Sequence, residues 1–267
     1  MPRHADGSAG DADYGRIGRR YADYRQPDPR IAALIHDSLG DARAILNVGA
    51  GAGSYEPTGR RGIRLQADRV TAVEPSASMR AQRPASLSIA INAVAERLPF
   101  RDKSFDASMA TFTIHQWSDL QSGLAEMRRV TRGPVVLLTC DPAEVQSFWL
   151  NEYAPEVLAA EARRYPPMTA LHQALGADIR IVPVPIPIDC RDGFNEAYYA
   201  RPEMLLVAGA RLACSAWSFV EADVAQASVD RLRAELRDGR WDRRYGQLRT
   251  QPEYRGSLHL VVSDGAR

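Results

Sequence analysis

The stretch Ala44–Glu74 constrains the fold of this chain more than any other. It opens with Ala44-Ile45-Leu46-Asn47-Val48, a short apolar run of the kind that forms a strand covered on both faces. Gly49-Ala50-Gly51-Ala52-Gly53 follows, and a second β-rich run, Arg69–Val73, ends in Glu74. Glycines in such a turn supply positive φ and let a ligand lie directly against the backbone. An acid at the tip of the next strand can accept hydrogen bonds from both hydroxyls of a ribose. The stretch reads as strand, glycine turn, strand and acid, which is a nucleoside-binding unit.

Spacing decides which nucleoside. The dinucleotide fingerprint is G-x-G-x-x-G, and its third glycine would fall at Ser54 or Glu56, counted from Gly49 or Gly51. G-x-G-x-G fits without adjustment. A pyrophosphate also wants a helix N-terminus behind the turn, and Pro57 with Gly59 interrupts a long helix there. In these residues the chain resembles the class I S-adenosylmethionine-dependent methyltransferases, whose first motif is a hydrophobic strand running into G-x-G-x-G. The resemblance implies a Rossmann-like, doubly wound α/β fold whose seven-stranded sheet is mostly parallel, with the last strand antiparallel. It also implies S-adenosyl-L-methionine as cofactor, with Asn47, Gly49, Ala50, Gly51, Gly53 and Glu74 around it. Asn47 departs from the family pattern, which has Asp in the first strand. It can still accept a hydrogen bond but adds no negative charge near a cationic sulfonium.

At 267 residues, 45% hydrophobic and 25% charged, the chain suits one α/β domain with insertions. A net charge of +1 provides no electrostatic footprint for nucleic acid or an acidic membrane surface. Cys140, Cys190 and Cys214 lack metal or C-x-x-C spacing, which points to a reducing compartment. No apolar run approaches a membrane span and Met1–Asp13 has no signal-peptide core, so a cytoplasmic protein is expected. The composition predicts a disordered tail over 1–13 and a single domain over 14–267. Its core is expected at about 41–142, 179–189 and 257–264, with a helical cap from 14–40, 143–178 and 190–256.

Tyr14, Ile17, Tyr21 and Tyr24 recur at helical spacing, and Pro27 and Pro29 precede a second helix, Arg30–Leu39, ended by Gly40. The resemblance adds that such N-terminal helices cover the cofactor, with Tyr21 and Arg25 near its methionine end. Beyond Glu74, Ser76 is placed to cap a short helix. In related methyltransferases this region lies on the adenine face, here Pro75, Ser76 or Met79; an ordinary helix start is equally compatible with these residues. A third strand is expected over Ser88–Ala93, carrying Ile89 and Ile91. It leads into Ala95-Glu96-Arg97-Leu98-Pro99-Phe100 and then Ser104-Phe105-Asp106. This series is similar to the second diagnostic region of the ubiquinone and menaquinone biosynthesis-type methyltransferases, which implies Ala95 and Glu96 at the adenine edge. Val94 stands where that family usually carries Asp.

Asp106–Thr113 forms an expected fourth strand that continues into Ile114-His115-Gln116-Trp117. By resemblance its end, Thr111, Phe112 and Thr113, lies at the methionine portion of the cofactor. Leu120, Leu124 and Met127 make a helix stripe closed by Gly133, and Pro134–Thr139 is a fifth, apolar strand. Strands alternating with helices imply a parallel sheet covered on both faces. Further on, Phe148, Trp149, Tyr153 and Tyr165 punctuate a helical stretch. A sixth strand over Ile179–Ile188 is confined by Pro183, Pro185 and Pro187 to an edge or a bulge, and Ser257–Ser263 is the last. The connection between them, about seventy residues, must carry structure of its own, and Phe194–Tyr254 is expected to form a helical lid over the substrate.

Methyl transfer from a sulfonium is an in-line displacement on an activated electrophile. The protein has to supply alignment, exclusion of water and, for a weak nucleophile, a base. His115 is the candidate base because imidazole titrates near neutral pH, with His172 a weaker one; a His that binds backbone or caps a helix is the structural alternative. Trp117, Trp149, Tyr198, Tyr199 and Trp217 are candidates to line an apolar acceptor pocket, or are plain core. The expected activity is methylation of an O, N or C atom of a small-molecule acceptor, with no metal. Two other readings are a cofactor-binding protein of this fold with a non-methylating role and an RNA or protein methyltransferase. The neutral charge and the lack of an N/D-P-P-Y motif speak against the latter.

Overall fold

Strands β1 (Ala44–Val48), β2 (Arg69–Val73), β3 (Ala107–Thr111) and β4 (Val135–Cys140) run parallel in the spatial order β2-β1-β3-β4. The edge strand β5 (Ile179–Pro183) and two short strands, β6 (Ile186–Pro187) and β7 (Glu253–Tyr254), precede β8 (Leu258–Ser263). β8 lies antiparallel between β4 and β5 and completes a six-stranded sheet. This computed structural model describes residues 21–57, 69–176 and 178–265. The tail expected over 1–13, with Tyr14 and Ile17, lies outside the described residues, as does the side chain of Tyr21.

The inner strands β1, β3, β4 and β8 are buried and largely apolar because both faces are covered. Ile45, Met109, Val136, Leu138 and Leu260 enter one layer, while Leu46, Val48, Ala110, Leu137 and Val261 enter the other. On the first layer, helix Pro29–Leu39 buries Ile31, Ile35 and Leu39. It starts where the Asp28 side chain accepts from Arg30 N and stops at Gly40, whose φ is 64°. On the second layer, helices Leu120–Val130 and Met168–Leu175 bury Leu124, Met127 and Leu171. Among the described residues no helix is long and apolar enough to cross a membrane.

Three expected elements differ. The third strand contracts to one parallel bridge, in which Ile91 N donates to Ala72 O (2.8 Å) and Glu74 N donates to Ile91 O (2.9 Å). Ile89 is 93% exposed, so the segment offers β-propensity without an apolar face to bury. In the main sheet the expected seven strands thus become six and a bridge among the described residues. The sixth strand splits because Pro183 and Pro187 lack the N–H a ladder needs; β5 stops at Pro183 and β6 pairs with β7 instead. The helix expected to close at Gly133 ends at Val130. Gly133 serves a crossing, since a Cβ there would sit 2.4 Å from Asp106 O.

The segment 194–254 is largely helical, mixing short 3₁₀ turns with the helix Ala222–Arg237, and it packs into the first layer. Glu196 ties it to the sheet by accepting from Ser257 N (2.9 Å) and Ser257 Oγ (3.0 Å) just before β8. Burial pushes its carboxyl up to about 7, against the pull of those two hydrogen bonds. In the unfolded chain this proton leaves near the ordinary glutamate value, so its contribution to stability is full below about 4.5 and is lost as pH rises through about 7. The loss amounts to about 3 kcal/mol. Glu196→Gln should therefore unfold at a lower temperature than the parent at pH 5 or gain little there, and gain relative to it as pH rises to 8. Parallel melting curves for the two proteins that keep a constant offset across this range would refute the assignment.

Candidate active site

β1, β2 and β3 end on the same edge of the sheet. The chain leaves β1 for β2 on one side and returns to β3 on the other, so a crevice opens where the strand order reverses. A cavity of about 760 Å³, open to solvent, occupies it. Gly49, Ala50, Gly51, Glu74, Pro75, Ser76, Met79, Ala95, Glu96, Thr111 and Phe112 all line this cavity.

Gly49 and Gly51 adopt φ of 67° and 53°, the left-handed region that favours glycine. A Cβ on Gly49 would fall 2.0 Å from Thr113 Oγ1, and one on Gly51 would lie 3.3 Å from Met79 Cε. Glu74 holds the turn in place. Its Oε2 accepts from Gly51 N and its Oε1 from Ser76 N, both at 2.8 Å. Burial raises its carboxyl while these amide bonds oppose the rise. Ser76 caps the helix Ala77–Ala81 by accepting from Met79 N.

Two of the expected residues sit beneath the cavity and do not line it. Asn47 is buried, and its Nδ2 donates to Glu56 Oε1 (3.0 Å). Arg83 Nη2 reaches both oxygens of Glu56 at 2.9 Å, in an ion pair whose side chains are only 4% and 1% exposed. Arg83 Nη1 also donates to Gly51 O at 3.4 Å. Gly53 faces Leu87, whose Cδ1 would be 2.2 Å from a Cβ there. The Glu56–Arg83 pair has no local sequence signal, because 27 residues separate its members.

Val94, the residue without the family's Asp, lines the opposite wall with Ala95, Glu96 and Trp117. Glu96 Oε1 accepts from Ser118 N (2.7 Å), Ser118 Oγ (2.8 Å) and Asp119 N (3.1 Å), which pins the chain that follows Trp117. Trp117 packs over Gly123, where a Cβ would lie 2.5 Å from its Cε3. A glycine inside the helix Leu120–Val130 is thus explained by close packing of the ring.

A second cavity, of about 500 Å³, lies behind Phe112, which lines both. Phe112 has φ 51°, and the turn of the chain there is why β3 ends at Thr111 and not at Thr113. Its ring lies 5.3 Å from that of Phe194 and 4.9 Å from Arg25 Cζ. Arg25 lines the second cavity, its Nε bonded to Asp192 Oδ1 at 2.5 Å; Tyr55 Oη donates to Asp192 Oδ2 at 2.8 Å. His115, Glu161, Arg164, Tyr165 and Asn195 complete the polar lining. The His115 ring lies 4.5 Å from Tyr165, its Nε2 is 2.8 Å from Gln116 Nε2, and its buried Nδ1 has no hydrogen-bond partner. Burial holds the imidazole well below the usual histidine range, and Arg164 and Arg25 reinforce this.

The remaining sequence candidates lie elsewhere. Trp117 lines the larger cavity, whereas Trp149, Tyr198, Tyr199 and Trp217 line neither. All four of these are buried. Trp149 Nε1 donates to Tyr199 O (3.0 Å), Tyr199 stacks on Tyr254 at 5.2 Å, and Trp217 Nε1 donates to Asn195 Oδ1 (3.0 Å). Large aromatic surfaces of this kind stabilise the packing of the segment 194–254 against the first layer. His172 is exposed on the helix Met168–Leu175 and lines neither cavity. Gln116, Glu161 and Asn195 were not anticipated. Only Gln116 had a signal, its place beside His115 in Ile114-His115-Gln116-Trp117.

Comparison with known proteins points the same way as this geometry. Residues 46–138 match a family described as a methyltransferase domain. The chain is similar to a malonyl-[acyl-carrier protein] O-methyltransferase of Erwinia pyrifoliae, at 29% identity over 190 residues, 66% of this chain and 68% of that protein. It also superposes on a candidate methyltransferase from an antibiotic biosynthesis pathway of Anabaena variabilis with a TM-score of 0.79 and 30% identity, over 90% of this chain and 98% of that one. The fold alone is shared with phosphoethanolamine N-methyltransferase 2 of Haemonchus contortus, solved with S-adenosylhomocysteine (TM-score 0.52, 14% identity, 95% of this chain and 56% of that one).

Proposed function

Because the chain belongs to the class I S-adenosylmethionine-dependent methyltransferases, we propose that its larger cavity seats S-adenosylmethionine and its smaller one the methyl acceptor. The cofactor supplies an electrophilic methyl group on a sulfonium. The observation that carries the reading is Glu74. It ends β2 at the point where the strand order reverses, and it already binds the amide of the glycine turn from the opposite side. The residues fit the cofactor: a Cβ-free cradle at Gly49 and Gly51, an acid for the ribose, and Val94, Ala95 and Trp117 as an apolar wall for the adenine. Arg25, expected with Tyr21 at the methionine end, does not line the larger cavity and stands on the acceptor side of Phe112.

The acceptor is a small molecule. The smaller cavity adjoins the larger one at Phe112, and the relatives include an O-methyltransferase named for malonyl-[acyl-carrier protein]. His115, which lines the smaller cavity, contacts the acceptor. Calorimetric titration with S-adenosylhomocysteine should show one site per chain, and a screen of small acids, phenols and amines with intact-mass detection should find a methylated product. Absence of S-adenosylhomocysteine binding would remove the cofactor assignment.

A further inference from the structure

From the smaller cavity, on the reading that it receives the acceptor, we infer that the acceptor is already ionised at oxygen, a carboxylate or a phenolate, and that His115 donates a hydrogen bond to it. Gln116 decides the direction of that bond. In the orientation that the Gln116 amide takes here, its Nε2 lies 2.8 Å from His115 Nε2, and an amide nitrogen can only donate. His115 Nε2 must therefore accept. A neutral imidazole has one N–H and one lone pair, so the proton resides on Nδ1. Nδ1 is the buried atom without a partner on a ring that lines the smaller cavity. It meets a ligand as a donor, which is the opposite of what a general base requires.

The charges facing His115 agree. Arg25 and Arg164 line the cavity as guanidinium groups, Arg25 backed by Asp192 and Arg164 bonded to Ser215 Oγ at 2.8 Å. Tyr165 and Cys140 face it as neutral groups, since burial pushes both up. Glu161 is the acid there, and burial raises its carboxyl too. Asn195 Nδ2 holds Glu161 Oε2 at 2.6 Å, and the Trp217 N–H on Asn195 Oδ1 fixes which way that amide points. A cavity lined by two guanidinium groups and by a ring with a buried, unpartnered N–H favours an oxyanion. The chemistry then needs no proton transfer. An oxygen lone pair of the acceptor forms the bond to the transferred methyl carbon, and the sulfur–carbon bond breaks with its electron pair left on sulfur. The negative charge of the acceptor and the positive charge of the sulfonium cancel, giving an ester or an ether.

The test uses the full chain saturated with S-adenosylhomocysteine, with histidines labelled with ¹⁵N and His115 assigned by loss of its signals in His115→Ala. Parent protein should carry the His115 proton on Nδ1, and Gln116→Glu, whose carboxylate can only accept, should move it to Nε2. Benzoate and 4-nitrophenolate are the anionic probes and benzylamine the control. Binding of benzoate alone identifies a carboxylate site, and of 4-nitrophenolate alone a phenolate site. The anion that binds should lose about tenfold to a hundredfold in affinity in His115→Ala and in Gln116→Glu, as expected for a hydrogen bond to a charged group. His115→Asn, whose side-chain amide puts an N–H near the place of Nδ1, should stay within about threefold of the parent, since it restores that one bond. A proton found on Nε2 in the parent, or benzylamine binding as tightly as both anions, overturns the inference. Where a His115 variant does not fold, the tautomer of the parent and its reversal in Gln116→Glu decide alone. Failure to bind S-adenosylhomocysteine would instead overturn the assignment of the larger cavity.

Discussion

Glu74→Ala should weaken S-adenosylhomocysteine binding by roughly 2–4 kcal/mol, the range for loss of a charge-assisted pair of hydrogen bonds. That is about thirtyfold to several hundredfold in Kd. Two effects add. The ribose hydroxyls lose their acceptor, and the amides of Gly51 and Ser76, which each lie 2.8 Å from a Glu74 oxygen, lose theirs. Glu74→Gln separates them, because it keeps the shape and one acceptor oxygen while placing an N–H against a backbone amide. Affinity should fall in both variants, and calorimetry alongside a melting curve reads the two consequences independently. Affinity unchanged in a folded Glu74→Ala would remove this residue from the site.

Arg83→Met should cost about 3–5 kcal/mol of folding stability, because it leaves Glu56 buried without its cation. Asn47 Nδ2 would be the remaining donor to that carboxylate among the described bonds. Burial already raises Glu56 against the pull of Arg83, so the variant should take up a proton on folding and be least damaged at low pH. Denaturant unfolding at pH 5 and pH 8 measures both. Adding Glu56→Gln should recover part of the loss, since a neutral amide is cheaper to bury than an unpaired charge. A loss below about 1 kcal/mol in the single variant would mean that this pair behaves as a surface salt bridge. Since Arg83 also donates to Gly51 O, the cofactor turn should loosen together with the fold.

The elements legible in the sequence were those whose cause is local. β1 and β2 were read to the residue, because an apolar run bounded by glycine or ended by an acid has few other uses. Ser76 as a cap followed from its hydroxyl ahead of a helical run. The glycine turn and Glu74 were found for the same reason, since a turn with positive φ at Gly49 and Gly51 admits little else. The strand over 88–93 was misread because Ile89 and Ile91 satisfy the period of a strand without a layer to bury them. The aromatic residues of the cap were ambiguous, since a buried ring looks the same in sequence whether it meets a ligand or a neighbouring ring. Trp149 and Tyr199 meet other rings, and Trp117 meets the cavity.

By itself, the sequence determined the strand–turn–strand unit, the family and the acid at its tip, because periodicity, φ preference and charge are properties of neighbouring residues. Only the tertiary structure decided which distant side chains meet. Glu56 with Arg83, Asn195 with Glu161 and Tyr55 with Asp192 are separated by 27, 34 and 137 residues. Each is held together by the exclusion of water, which makes an unpaired buried polar group costly. The surroundings of His115 were set in the same way. Its place after β3 is written in the chain, but which of its nitrogens carries the proton depends on the Gln116 amide that folding sets against it.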